Sequence, residues 1–167
     1  QKQKLRSNKR ILIQEFVPGR PWTELRGTDE DGRQMLKSAT ATELRIYCYV
    51  DREKRIQFDQ RYYATARAFE KGNDEWVSID QTSVPNEAWE IADEVSDRLL
   101  AKANTPGGYF AIDLIKGKTP DDSDERLFVR EINTRDAMMA EETDNYQDYI
   151  KERQLLANAM AVIARSR

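Results

Sequence analysis

The chain has 167 residues, 34% of them charged and 39% apolar, with 27 basic against 30 acidic side chains and a net charge of -3. That length suits one domain with a sizeable core, and three tryptophans, seven tyrosines and five phenylalanines set it apart from disordered sequences. The near balance of charge excludes a global field for nucleic acid or an anionic membrane. The lack of histidine excludes imidazole catalysis and imidazole-bound metals, and the lone Cys48 excludes a disulfide framework or a cysteine-rich zinc site. A hard cation held by oxygens stays open.

Residues 1–10, "QKQKLRSNKR", are basic and polar without a hydrophobic signal core, and the chain does not begin with methionine. They are expected to be a linker, or the start of a piece cut from a longer protein, ahead of one domain over 11–167. No apolar run approaches the roughly 18 to 20 residues that span a bilayer, so a soluble, cytoplasmic setting is expected.

"ILIQEFV", 11–17, is short, apolar and stopped by Pro18-Gly19, which predicts a buried strand. The stretch that follows, through "GTDEDGRQ", predicts an inserted loop, with Trp22 packed at the surface. "ELRIYCYVD" alternates Leu44, Ile46 and Cys48 against Arg45, Tyr47 and Tyr49, and "RIQFDQRYYATARAF" alternates again after the turn "REK". Two antiparallel strands are predicted, with Cys48 in the core. Trp76, in a polar stretch, is expected at the surface. "NEAWEIADEVSDRLLAKA", 86–103, sets Ala88, Ile91, Ala92, Val95 and Leu99 on one face of a helix after Pro85. "YFAIDLI" and "LFVREIN" predict a hairpin around the polar loop 116–126. Tyr146, Tyr149, Ile150, Met160, Ile163 and Ala164 recur with helical spacing, predicting a closing helix. The sum is an α+β fold, an antiparallel β-sheet with helices packed mainly on one face.

In the hairpin, Glu131 and Asn133 share a strand face because residues two apart project together. Val129 and Ile132 predict that this strand is covered. If Ile115 lies opposite Leu127 or Val129, Asp113 falls diagonal to Glu131 or directly across from it. Two carboxylates and an amide oxygen then converge, an arrangement that favours a cation between them, and magnesium accepts such oxygens while taking its other ligands from water and phosphates. The plainer alternative makes Asp113 an ion-pair partner of Arg130 or Arg45, with Glu131 and Asn133 solvated at a strand end.

Taken in order, "QEFVPG", "ELRIY", "AIDLI" and "VREIN" resemble the carboxyl-terminal subdomain of the ATP-grasp superfamily, in the style of the ribosomal-protein glutamate ligases and related carboxylate-amine ligases, over residues 11–136. The resemblance implies that the backbone of Glu15, Phe16 and Val17 meets adenine with Gln14 beside it. It puts Glu43 near the ribose or a metal-bound water, Arg45 near phosphate, and Asp113, Glu131 and Asn133 on magnesium or manganese. It also implies a phosphate contact from Arg61 or Arg67, with Arg67 preferred. The implied activity is an ATP-dependent ligase that phosphorylates a carboxylate and lets an amine or thiol displace phosphate from the acyl phosphate. The implied partners are ATP, a small-molecule or peptide carboxylate, and an amino-terminal half supplying a lysine and a glycine-rich flap that this sequence lacks; no nucleic acid or membrane is expected. The loop after "REIN", "TRDAMMAEE", departs from the family by carrying Asp136 where proline is common. The alternatives are a non-catalytic nucleotide-binding or scaffolding module, and an interaction domain without nucleotide.

Overall fold

The computed structural model describes residues 17, 19–27, 40–53, 61–70, 73–121 and 123–133, together with 153–154, 156–157, 160–161 and 164. The predicted strand over 11–17, apart from Val17, and the loop after Asn133 lie outside the described residues. The elements in chain order are β1 (Gly19–Arg20), β2 (Thr40–Asp51), β3 (Tyr62–Glu70), β4 (Asn73–Ser78), a single 3-10 turn (Gln81–Ser83), α1 (Asn86–Ala103), β5 (Gly107–Gly117) and β6 (Arg126–Asn133). The strands form one antiparallel sheet in the order β6-β5-β2-β3-β4, and β1 pairs with the far end of β5 through Gly19 and Gly117.

Alternation gives the sheet two chemically different faces. Leu44, Ile46, Cys48 and Val50 of β2 join Ala64 and Ala66 of β3 and Phe110, Ile112 and Leu114 of β5 in one buried cluster under α1. The helix lays a stripe of Ala88, Ala92, Ser96 and Leu100 against it, the first three small enough to let the backbones approach, while Ile91, Val95 and Leu99 fill the flanks. Each large side chain buried here stabilises the fold by about 1.5–3 kcal/mol. After Asn104, in the left-handed conformation at φ 50°, the helix end is held by Arg52, whose Nη2 donates to the Leu100 carbonyl at 2.7 Å.

The opposite face divides into an aromatic half and a polar half. Tyr47, Tyr49 and Ala111 form a buried group with Tyr63 and Tyr109, and the Tyr49 and Tyr109 rings stack at 4.6 Å. Leu156, in the helical C-terminal segment, packs on this group. The one helix among the named elements, α1, covers the other face, and most of the predicted closing helix lies outside the described residues.

Three further expectations change. Trp22 is buried in the helix-side core, because the segment 19–27 crosses that end of the sheet and bridges Trp22 to Ala41 and Gly27 to Ile79. Trp76, expected at the surface, is half-buried on the strand β4. β6 is not covered: Val129 and Ile132 are 40% and 37% exposed, since among the described residues β6 pairs only with β5. Among the described residues no helix is long and apolar enough to cross a membrane.

Candidate functional site

The polar half of the second face is built by five strands. Register sets Arg45 opposite Asp113, Asp113 opposite Glu131, Asn133 opposite Ala111, Glu43 opposite Arg67, and Arg67 opposite Trp76. The alternation that sends Leu44, Ile46, Ile112 and Leu114 into the apolar core therefore delivers Glu43, Arg45, Asp113, Glu131 and Asn133 to one surface.

Asp113 is 2% exposed and its carboxylate accepts three hydrogen bonds. Arg45 donates to it twice, from Nε at 2.6 Å and Nη2 at 2.8 Å, and Asn133 Nδ2 donates at 3.0 Å. The Arg45 guanidinium lies over the Trp76 ring, 4.3 Å from its centroid. A planar fork sandwiched this way suits arginine and not lysine. Of the two partners weighed for Asp113, Arg45 is the one realised.

Arg130 goes elsewhere. Between Asp113 and Leu114 the β5-β6 register slips, because Glu131 faces Asp113 while Val129 faces Leu114. Arg130 is the extra residue of a β-bulge, and Ile115 faces Phe128, neither residue expected. The bulge turns the Arg130 side chain across β5 to Glu43, which is 3% exposed. The same oxygen of Glu43, Oε2, accepts from Arg67 Nη1 at 3.4 Å. Glu43 thus stands as a buried anchor for two arginines from opposite sides.

Glu131 is exposed beside Asp113 and forms no ion pair among the described residues. Arg61 lies on the helix side, where it pairs with Asp93 of α1 at 3.2 Å and covers the Tyr62 ring. Facing alone therefore makes Arg67, not Arg61, the arginine of the polar face. Val17 is half-buried and outside any strand, and Gln14, Glu15 and Phe16 lie outside the described residues. Cys48 is core: burial pushes its thiol far above the ordinary range, and it donates to the Ile46 carbonyl.

Sequence reasoning missed three participants. Trp76 sits in a six-residue strand too charged to show alternation, and Arg130 owes its place to the bulge. Thr65, opposite both Arg45 and Ser78, is fully buried with its hydroxyl unpartnered among the described residues. A shallow depression lined by Trp89, Glu90, Asp93 and Asp97 lies on α1, away from this face.

Among the described residues no three carboxylate or thiol side chains gather as a ready cation cage. The donor set is two cross-strand carboxylates and one amide, all able to offer oxygen, which fits a hard cation that draws further ligands from phosphate and water. Arg45 and Asn133 together use three of the roughly four lone-pair directions of Asp113, so Glu131 is the ligand with most capacity left. No family model, curated protein or solved structure matches the chain.

Proposed function

We propose that the chain is the ATP- and magnesium-binding half of an ATP-grasp carboxylate-amine or carboxylate-thiol ligase that works through an acyl phosphate. The observation that carries this reading is the convergence of "ELRIY", "AIDLI" and "VREIN" on three neighbouring strands, with Glu43, Arg45, Asp113, Glu131 and Asn133 on one face.

In this reading Glu131 and Asp113, with the Asn133 carbonyl, would hold the cation, which when bound neutralises charge on the phosphates. The chain's own part is electrostatic positioning. Arg45 fixes the Asp113 carboxylate in place, the Trp76 ring keeps Arg45 flat, and Arg67 adds a partly exposed positive charge to the same face. The adenine contact falls to Gln14 through Val17, and the rest of the phosphate cradle to an amino-terminal partner half with its lysine and glycine-rich flap. The carboxylate substrate belongs with the loop after Asn133.

The engagement of Asp113 by Arg45 favours one second reading, a nucleotide-binding module without turnover, in which the pair is purely structural. Titration of the chain with ATP in the presence and absence of magnesium tests the first part. We expect weak binding that magnesium strengthens and that Glu131→Ala reduces about tenfold, a loss of about 1.4 kcal/mol. ATP binding indifferent to both magnesium and Glu131 would sink the reading.

A further inference from the structure

We infer that Arg45 gates the cation site: its guanidinium and a divalent cation compete for the Asp113 carboxylate, and the cation is admitted only as Arg45 gives up its two-pronged hold. The inference rests on the reading of Asp113, Glu131 and Asn133 as cation ligands, and goes beyond it in assigning how that site is regulated.

Three observations carry it. First, Arg45 takes both oxygens of Asp113 at once, from Nε to Oδ1 at 2.6 Å and from Nη2 to Oδ2 at 2.8 Å, and Asn133 Nδ2 donates to Oδ2 as well at 3.0 Å. Of roughly four lone-pair directions, one is left. A cation bound there would lie beside the guanidinium, where the Arg45 and Asp113 side chains are 11% and 3% exposed and little water screens the repulsion. The two positive groups therefore exclude each other. Second, Asn133 presents its N–H to Asp113 and not its oxygen. To serve as a ligand the amide must turn over, which breaks its bond to Asp113, so two of the three proposed ligands are set against a cation. Third, Glu131, directly across from Asp113, is exposed and forms no ion pair among the described residues. It gives an arriving cation a first foothold outside the buried pair. The Trp76 ring, 4.3 Å from the Arg45 guanidinium, steadies the closed arrangement.

The strength of the hold lies in the fork, which engages both carboxylate oxygens in one plane. Lysine at the same position keeps the charge and loses the fork. Arg45→Lys therefore separates the gate from the general effect of a nearby positive charge.

The test is titration of the chain with manganese alone, the free ion followed by electron paramagnetic resonance, and then with magnesium ATP by calorimetry. The variants are Arg45→Lys, Trp76→Leu and Glu131→Gln, with Arg98→Lys on the exposed side of α1 as a control of the same chemical change. We expect millimolar manganese binding by the unmodified chain, about fivefold tighter binding by Arg45→Lys, about twofold tighter by Trp76→Leu, and Arg98→Lys within about 1.5-fold. Adding Glu131→Gln to Arg45→Lys should remove the gain. Should Arg45→Lys fail to fold, Trp76→Leu, which leaves both charges in place, decides the gate, with melting curves checking its fold. The gate is overturned if Arg45→Lys gains no more than Arg98→Lys, or, where Arg45→Lys does not fold, if Trp76→Leu gains nothing. Manganese binding that Glu131→Gln does not weaken puts the ion elsewhere and overturns both the gate and the ligand set beneath it. Magnesium-dependent ATP binding, with manganese affinity indifferent to Arg45, removes the gate and leaves the nucleotide reading standing. A gain in Arg45→Lys that needs Glu131, with no ATP binding by any of these chains, does the reverse.

Discussion

Arg45 and Asp113 are each other's condition for burial. Their side chains are 11% and 3% exposed, joined by two charge-assisted hydrogen bonds. Removing Arg45 leaves the desolvated Asp113 carboxylate with the Asn133 amide as its donor among the described residues, and such losses cost about 3–5 kcal/mol. Arg45→Ala should therefore lower stability by that amount in urea unfolding, and adding Asp113→Ala should restore part of it, since the double variant leaves no buried charge. A cost below about 1 kcal/mol for Arg45→Ala would mean that water already reaches the pair. That Arg45 and Asp113 each point away from apolar neighbours was legible from the two-residue period of "ELRIY" and "AIDLI". Their pairing was not, because period alone leaves Asp113 a choice between Arg45 and Arg130, and only the extra residue at Arg130 decides it.

Among the elements, β2, β5, β6 and α1 were legible in proportion to their length and regular apolar spacing. The connection from Gly19 to Gly27 was not. Its order comes from contacts more than fifty residues away: the Arg26 amide donates to Ser83 Oγ, and Arg26 pairs with Asp80 at 2.8 Å. Asp80 is the joint of this arrangement. It caps the 3-10 turn by accepting from the Thr82 hydroxyl at 2.7 Å and the Thr82 amide at 2.9 Å. Those two bonds, the hydroxyl first and the amide next, outweigh the opposing effect of burial and, with a smaller contribution from Arg26, hold its carboxyl below the ordinary 3.8. A depressed folded value means that the stabilisation is complete at pH well above 3.8 and is lost as the pH falls through the lower folded value. Asp80→Ala should cost about 1 kcal/mol at neutral pH, the usual worth of a cap. Denaturant unfolding repeated in acid should bring variant and parent closer together. A gap that stays constant on acidification would assign the whole effect to packing and none to the carboxylate charge.

At the scale of the molecule, the sheet is a partition between an apolar, helix-covered side and a face whose polar half supplies few uncommitted charges. Arg45 is spent on Asp113, and Arg67 and Arg130 share Glu43. Phosphoryl transfer draws almost all its acceleration from fixed charge placed around the phosphates, and each missing donor costs orders of magnitude in rate. With no glycine-rich flap in the sequence and these cations already drawn to carboxylates, the proposed nucleotide half would have too little field to stabilise phosphoryl transfer. The chain by itself should therefore hydrolyse ATP no faster than its Glu131→Ala variant, measured as phosphate release under saturating nucleotide and magnesium. Turnover that exceeds the Glu131→Ala background would show that the face carries a complete phosphoryl-transfer site. The division of labour between two halves would then have to be abandoned, even with the nucleotide reading intact.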